Sequence, residues 1–351
     1  MTQLSKEVPM GKRLSPTLLI LLLCCSNAVA LEGTLLVSNR YGGSISFIDL
    51  ATRFEIARVP IGPVIPHEVA VSPDGRRALT VEYGPDSRRG RHVILMDVPT
   101  ATMVGRIDLG PDSRPHTALF LPDGQRGVAT MQDSDRLALF DLSSMKVVRT
   151  YPTGGREGHM VRLRPDGSHA YVTSRGAEGT LSVIFLNEER PPVVIETGPG
   201  AEGIAVTPDG SEVWVANRDV ESISIIDTES LKLVTTIGSR SHAGRIEMGP
   251  NGRAIVPNGT SSAKVPQYLR VFDVASREIL SEIPLRDGQP QAGNFGILIV
   301  DGMAFASDPR AGTIEMFDLA DPGKREMLAQ YHEGPDGMAW TPMRLNVMTR
   351  P

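Results

Sequence analysis

Pro-Asp-Gly recurs at 73–75, 122–124, 165–167 and 208–210, and Pro250-Asn251-Gly252 and Asp301-Gly302 continue the series. The glycines of these six turns stand 49, 43, 43, 42 and 50 residues apart. Proline presets the first turn position and glycine takes a positive φ, so each copy marks a tight hairpin. A unit this small cannot bury its apolar face alone, so a chain that repeats it must stack the copies side by side. A length of 351 residues would otherwise allow one large domain or two ordinary ones, and the repeat selects the first.

The flanks of the turn repeat as well. An apolar strand precedes it, as in Val69–Val71, Ala118–Phe120, Val161–Leu163, Ile204–Val206, Ile246–Met248 and Gly296–Ile299. A second strand follows, for example Tyr171-Val172-Thr173-Ser174 and Trp214-Val215-Ala216-Asn217. A third alternates in period two and ends in Asp49, Asp97, Asp141, Asp227, Asp273 or Asp318; repeat four departs, placing Leu186 where Asp is expected. Six copies around a ring cannot share one active site, so these aspartates read as turn caps. A more polar fourth strand, such as Lys232–Ile237, closes each unit. Four strands per 40–50 residues is the pattern of a propeller blade.

The ends set the blade count. The chain enters on a second-type strand, Gly33–Asn39, and leaves on a first-type strand, Asp336–Pro342. Pairing the two closes a ring and removes the open edge. The expected fold is all-β: a seven-bladed β-propeller of four-stranded antiparallel blades, ring closed by the C-terminal strand on the N-terminal strands. Two larger units carry extra residues at Gly84–Arg91 and Thr260–Gln267, rim loops of the kind that host binding.

Ahead of the repeats, Lys6, Lys12 and Arg13 precede the apolar run Leu18–Cys25, and Ala28-Val29-Ala30 follows. That order reads as a secretory signal peptide, residues 1–30, cut after Ala30, with the propeller domain over 31–351. The apolar run is shorter than the roughly 20 residues a membrane span needs. The expected location is periplasmic or secreted, with no membrane span after cleavage. Cleavage removes three cations and one anion, taking the net charge from −5 to about −7. It also removes Cys24 and Cys25, the chain's two cysteines, and with them disulfides, thiolate catalysis and cysteine-ligated metal. An acidic chain with 5% aromatic residues is unsuited to gripping nucleic acid.

The strands reading YVTS, WVAN and LVSN, with Ser-Pro-Asp-Gly turns and SISIID, resemble the YVTN-type propeller repeat family, whose members include exported bacterial proteins. The resemblance covers the whole of 31–351. Ser38-Asn39-Arg40, Pro66-His67 with Ser72–Arg76, and Arg114-Pro115-His116 also resemble blades of propeller-type lactonases. That second resemblance implies Glu82 as a counterpart of the acidic residue lactonases carry after the second strand.

In a propeller the first strand lines the central channel. Counting six residues back from the proline of each turn gives one ring at a channel mouth: His67, His116, His159, Glu202, Gly244 and Asp336, with Asn294 placed by analogy. Imidazoles and a carboxylate suit Zn²⁺, Mn²⁺ or Fe²⁺, so His67, His116 and His159 are candidate ligands of a divalent metal ion, the one cofactor the pattern suggests. The alternative is structural: side chains before this strand can bond a neighbouring blade's loop backbone. His242, two residues ahead of the register, would need a bulge to join. Arg114, Arg156 and Arg240 precede their blades' first strands, and guanidinium forks suit carboxylates and phosphates. His92, His169 and His332 fall off the register and read as surface or rim residues.

Two functions follow. One is an exported, monomeric binding module recognising a small anionic molecule, a metal ion or a periplasmic partner protein through His67, Arg114, His116, Arg156, His159, Glu202 and Asp336. The other is a lactonase-type hydrolase or metal-dependent lyase with Glu82 or Glu202 as base.

Overall fold

The computed structural model describes residues 31–85, 87–258, 267–285, 296–330 and 333–345. Residues 1–30 with Cys24 and Cys25, Asn294, His332 and most of the 260–267 loop lie outside the described residues.

Each turn forms the hairpin that its sequence demands. Gly75 sits at φ 73°, and its amide donates to Ser72 O at 2.8 Å. Gly124, Gly167 and Gly210 repeat that bond from the same positions. The hairpins build seven four-stranded antiparallel sheets. Blade I is Pro335–Thr341, Thr34–Asn39, Ser44–Asp49 and Glu55–Pro60, from the axis outward. Blades II to VII open on inner strands Val69–Val71, Ala118–Phe120, Gly158–Leu163, Ala201–Val206, Glu247–Gly249 and Gly296–Val300. Blade I joins the two ends as expected, Leu35 opposite Trp340 and Leu36 opposite Ala339.

Seven apolar clusters fill the seven seams between neighbouring blades. In the seam of blades II and III, Leu79 and Leu95 meet Phe120 and Phe140. In the seam of blades VII and I, Phe305 and Ile314 meet Leu35 and Val37. Each fully buried Leu, Ile or Phe contributes about 1.5–3 kcal/mol. The period-two pattern of the third strand thus does not mean one wet face. Ser44–Asp49 is buried at every position before its aspartate, because each sheet is covered by a blade on both sides. Only the outer strands alternate, as Thr102–Asp108 does.

The aspartates cap turns: Asp49 Oδ1 accepts from Ala51 N at 2.7 Å and Asp141 Oδ1 from Ser144 N at 2.8 Å. In blade IV the pairing corrects one assignment. Phe185 pairs with His169 as Asp141 pairs with Arg126, so Phe185, not Leu186, takes the aspartate's place. It caps nothing. Its ring packs against His169 at 4.7 Å and under Arg190 at 3.9 Å, while Leu186 is buried in the seam of blades III and IV. Among the described residues no helix is long and apolar enough to cross a membrane.

Candidate functional site

The inner strands carry the expected ring to one place. In blades I, IV and V the ladder slips within the inner strand, at Asp336, His159 and Glu202. A bulge of this kind re-aims a side chain, here toward the axis. Backbone carbonyls behind the ring are held by hydroxyls of the second strands. Thr130 Oγ1 donates to His159 O at 3.0 Å, Thr173 Oγ1 to Glu202 O at 2.8 Å, and Ser307 Oγ to Asp336 O at 2.6 Å, each across a seam. Gly337 lets blade I close on blade II: its amide donates to His67 O at 3.0 Å, and a Cβ there would sit 2.6 Å from that oxygen.

Hydroxyls and amides therefore tie the blades together, which leaves the ring side chains for each other. His67, His116 and His159 lie in a row, centroids 4.1 Å and 3.6 Å apart. All three are buried, His116 completely. His116 Nδ1 is 3.2 Å from Thr117 Oγ1, and its Nε2 meets no hydrogen-bond partner among the described residues. His159 Nδ1 lies 3.2 Å from Gln132 Oε1. His67 Nδ1 is 3.1 Å from Asp336 Oδ2 but lacks the angle of a hydrogen bond. The structural role expected of a ring histidine falls to His242 instead, whose Nδ1 pairs with Arg218 O of the neighbouring blade at 2.6 Å.

Two residues that the ring count passed over dominate the electrostatics. Gly244 has no side chain to offer, and the next residue, Arg245, reaches across the axis from blade VI to blade II. Its Nη2 donates to Glu68 Oε1 at 2.7 Å, and its Nη1 lies 3.5 Å from Glu202 Oε1. Glu68 faces the axis because blade II's ladder starts only at Val69. Burial pushes the Glu68 carboxyl up, but Arg245, His67 and Arg162 outweigh it and bring its pKa down to about 2. Burial likewise opposes the charge on Arg245, and Glu68, Asp336 and Glu202 together hold it cationic. Burial pushes His116 and His159 well below the usual histidine value, with neighbouring imidazoles and arginines adding to the effect, so both are neutral at pH 7.

A second ring reaches over the mouth from just beyond the second strands of five blades: Arg40 directly after Asn39 in blade I, and Tyr83, Gln132, Arg175 and Arg218, each eight residues after its blade's turn glycine. Arg218 Nη1 donates to Glu202 Oε2 at 2.5 Å, Arg40 Nη1 to Asp336 Oδ2 at 3.3 Å, and Arg175 Nε lies 4.0 Å from Glu202. Tyr83 stands edge-on to His67 and His116 at 5.3 and 5.2 Å. This ring was legible: Ser-Asn-Arg40, Thr-Ser-Arg175 and Ala-Asn-Arg218 occupy one register of the repeat.

The other candidates divide. Arg114 stacks over Tyr83 at 4.3 Å and so borders the cluster. Arg156 is exposed on the rim beside Gly176, and Arg240 is exposed in the groove between blades V and VI. Glu82, a candidate base, turns outward onto its own blade, with His92 Nδ1 at 2.6 Å and Arg106 Nε at 3.0 Å. Strand alternation explains it: with Tyr83 aimed at the axis, Glu82 must face away. The geometry thus gathers four guanidiniums (Arg40, Arg175, Arg218, Arg245), three carboxylates (Glu68, Glu202, Asp336) and three imidazoles.

Residues 122–295 match the family model of YNCE-like beta-propellers. The YNCE-like stretch runs from the first turn of blade III to the threshold of blade VII and contains His159, Glu202, Arg175, Arg218 and Arg245. The fold is shared with a functionally unknown protein from Desulfotomaculum acetoxidans, at TM-score 0.70 and 17% identity over 88% of this chain and 98% of that one. It is also shared with Kuenenia stuttgartiensis hydrazine synthase, at TM-score 0.62 and 18% identity over 73% of this chain and 77% of that one. No curated protein matches the chain in sequence.

Proposed function

We propose that this chain is an exported propeller that binds a small anion, a carboxylate or phosphate compound, at the axial mouth. One observation carries the reading: four guanidiniums from four blades converge on three carboxylates, beside two neutral imidazoles. The excess charge is positive although the chain as a whole is acidic. Arg40, Arg175 and Arg218 keep about a quarter to a third of their side chains exposed at 33%, 28% and 25%, so an incoming anion can reach them. Planar guanidinium forks favour carboxylate and phosphate oxygens over other anions. Glu202 is less suited to act as a base than to position arginines, since Arg218 and Arg245 already engage both of its oxygens.

The signal-peptide reading of residues 1–30 belongs to the same proposal and places the ligand outside the cytoplasm. N-terminal sequencing of the exported protein should begin at Leu31. Calorimetric titration with phosphate, succinate and citrate tests the site itself. Binding of at least one of them should weaken about tenfold in Arg218→Gln and again in the Arg175→Gln/Arg218→Gln double variant. Affinity unchanged in both variants would sink the axial mouth as the binding place.

A further inference from the structure

We infer that His67, Glu68 and His116 form a divalent transition-metal site whose occupancy is held in check by Arg245. One ligand atom from each of the three residues lies within 4.8 Å of the others. Ligand atoms about a tetrahedral zinc are roughly 3.3 Å apart, given bond lengths near 2.0–2.1 Å, so small side-chain rotations close the set. The set differs from the three histidines expected from the ring. His159 is drawn off by Gln132, and its Nε2 lies 3.9 Å from Glu202, whereas Glu68 stands beside His67, its Oε1 3.6 Å from Nδ1.

The independent pointer is His116 Nε2, a nitrogen on a completely buried side chain with no hydrogen-bond partner among the described residues. Leaving a buried polar atom unpaired costs about 1–3 kcal/mol, and a metal ion would satisfy it. Two imidazoles and one carboxylate leave a coordination position open, the pattern of reactive rather than purely structural zinc sites. Among divalent ions the donor set favours zinc, copper, nickel and iron over magnesium and calcium. Arg245 works against all of them. Its guanidinium is 2.7 Å from the Glu68 oxygen that would turn to the metal, so the protein carries its own competing cation.

This site does not depend on the anion reading, and the test separates them because it contains no phosphate or carboxylate. The full chain is freed of metal on a chelating resin and titrated with Zn²⁺ in a non-coordinating buffer. Retained metal is counted after gel filtration, and Co²⁺ is followed in parallel by its visible spectrum. The wild-type chain should retain about one equivalent. His116→Ala should weaken retention at least about tenfold, and Arg245→Gln should tighten it by a similar factor. No retention by the wild-type chain overturns the site, as does retention indifferent to His116→Ala or to Arg245→Gln. Should Arg245→Gln fail to fold, His116→Gln and the wild-type Co²⁺ spectrum decide: a spectrum of octahedral aqueous ion overturns the proposal, and a four- or five-coordinate one that His116→Gln abolishes supports it.

Discussion

The molecule holds two sets of carboxylates that look alike on paper. One set ends the third strands, and each member serves its own turn: Asp97 takes Thr100 N, Asp227 takes Ser230 N, Asp273 takes Ser276 N and Asp318 takes Ala320 N. The other set, Glu68, Glu202 and Asp336, is buried or nearly so at the axis and takes guanidiniums from four different blades. The turn caps are half-exposed and their backbone partners lie two or three residues away, so each copy is self-sufficient within its blade, Asp273 adding Arg253 of the adjacent strand. The axial carboxylates have lost their water, and their partners come from distant parts of the chain. Asp141 is held at about 2 by Ser144 and Ser143 donors in the open, and Glu68 reaches a similar value only because Arg245 overcomes its burial. Equal acidity thus has opposite structural meaning.

Cutting the cross-axis pair should separate the two sets most sharply. Arg245→Met strands Glu68 without its counter-charge and should cost about 3–5 kcal/mol in denaturant unfolding, while the Glu68→Leu/Arg245→Met double variant recovers most of it. A single variant as stable as the parent would mean that the axial pair is no more than a surface contact.

The pH dependence of stability comes next in size. His116 and His159 have folded pKa values below the unfolded 6.5, so the unfolded chain binds more protons below that pH. Their contribution is complete above pH 6.5 and is lost as pH falls, at up to about 1.4 kcal/mol per pH unit for each histidine. Denaturant midpoints measured from pH 7.5 to 5 should show this fall, and His116→Leu should flatten it. Glu68 adds a second decline as pH drops from 4.5 toward about 2, because its stabilisation is present above the unfolded value and lost below it. A pH-independent midpoint in this range would contradict neutral burial.

The turn caps should give the smallest effect. Asp227→Ala removes the acceptor for Ser230 N and Ser230 Oγ. In a chain this long it should lower the melting temperature by no more than about 2 °C, with no change in the slope between pH 7.5 and 5, since the Ser230 donors hold the Asp227 carboxyl below its ordinary value and it stays ionised there. A loss as large as that of Arg245→Met would erase the distinction between the sets.

The same distinction governs what could be read from residues alone. Pro-Asp-Gly turns, the closing strand and the convergence of His67, His116, His159, Glu202 and Asp336 were legible, since turn chemistry and register repeat locally. The second ring of Arg40, Arg175 and Arg218 was equally open to register counting but needed attention to the residue after the second strand. Leu186 was misplaced by one because a missing aspartate removed the landmark, and only strand pairing identified Phe185 as its replacement. Glu82 and Tyr83 are adjacent, and alternation alone cannot say which of them faces the axis until the strand is anchored to its neighbours.

By itself, then, the sequence determined the number of blades, the closure of the ring and the register that brings histidines and carboxylates to one mouth. Each of these follows from hairpin geometry repeated at a fixed spacing. Only the tertiary structure decided which of those side chains meet. Arg245 and Glu68 are 177 residues apart, and their contact depends on the summed rotation of the blades between them and on a ladder that starts at Val69. Charges buried at an axis select partners by distance across the ring, and no local pattern in the chain carries that distance.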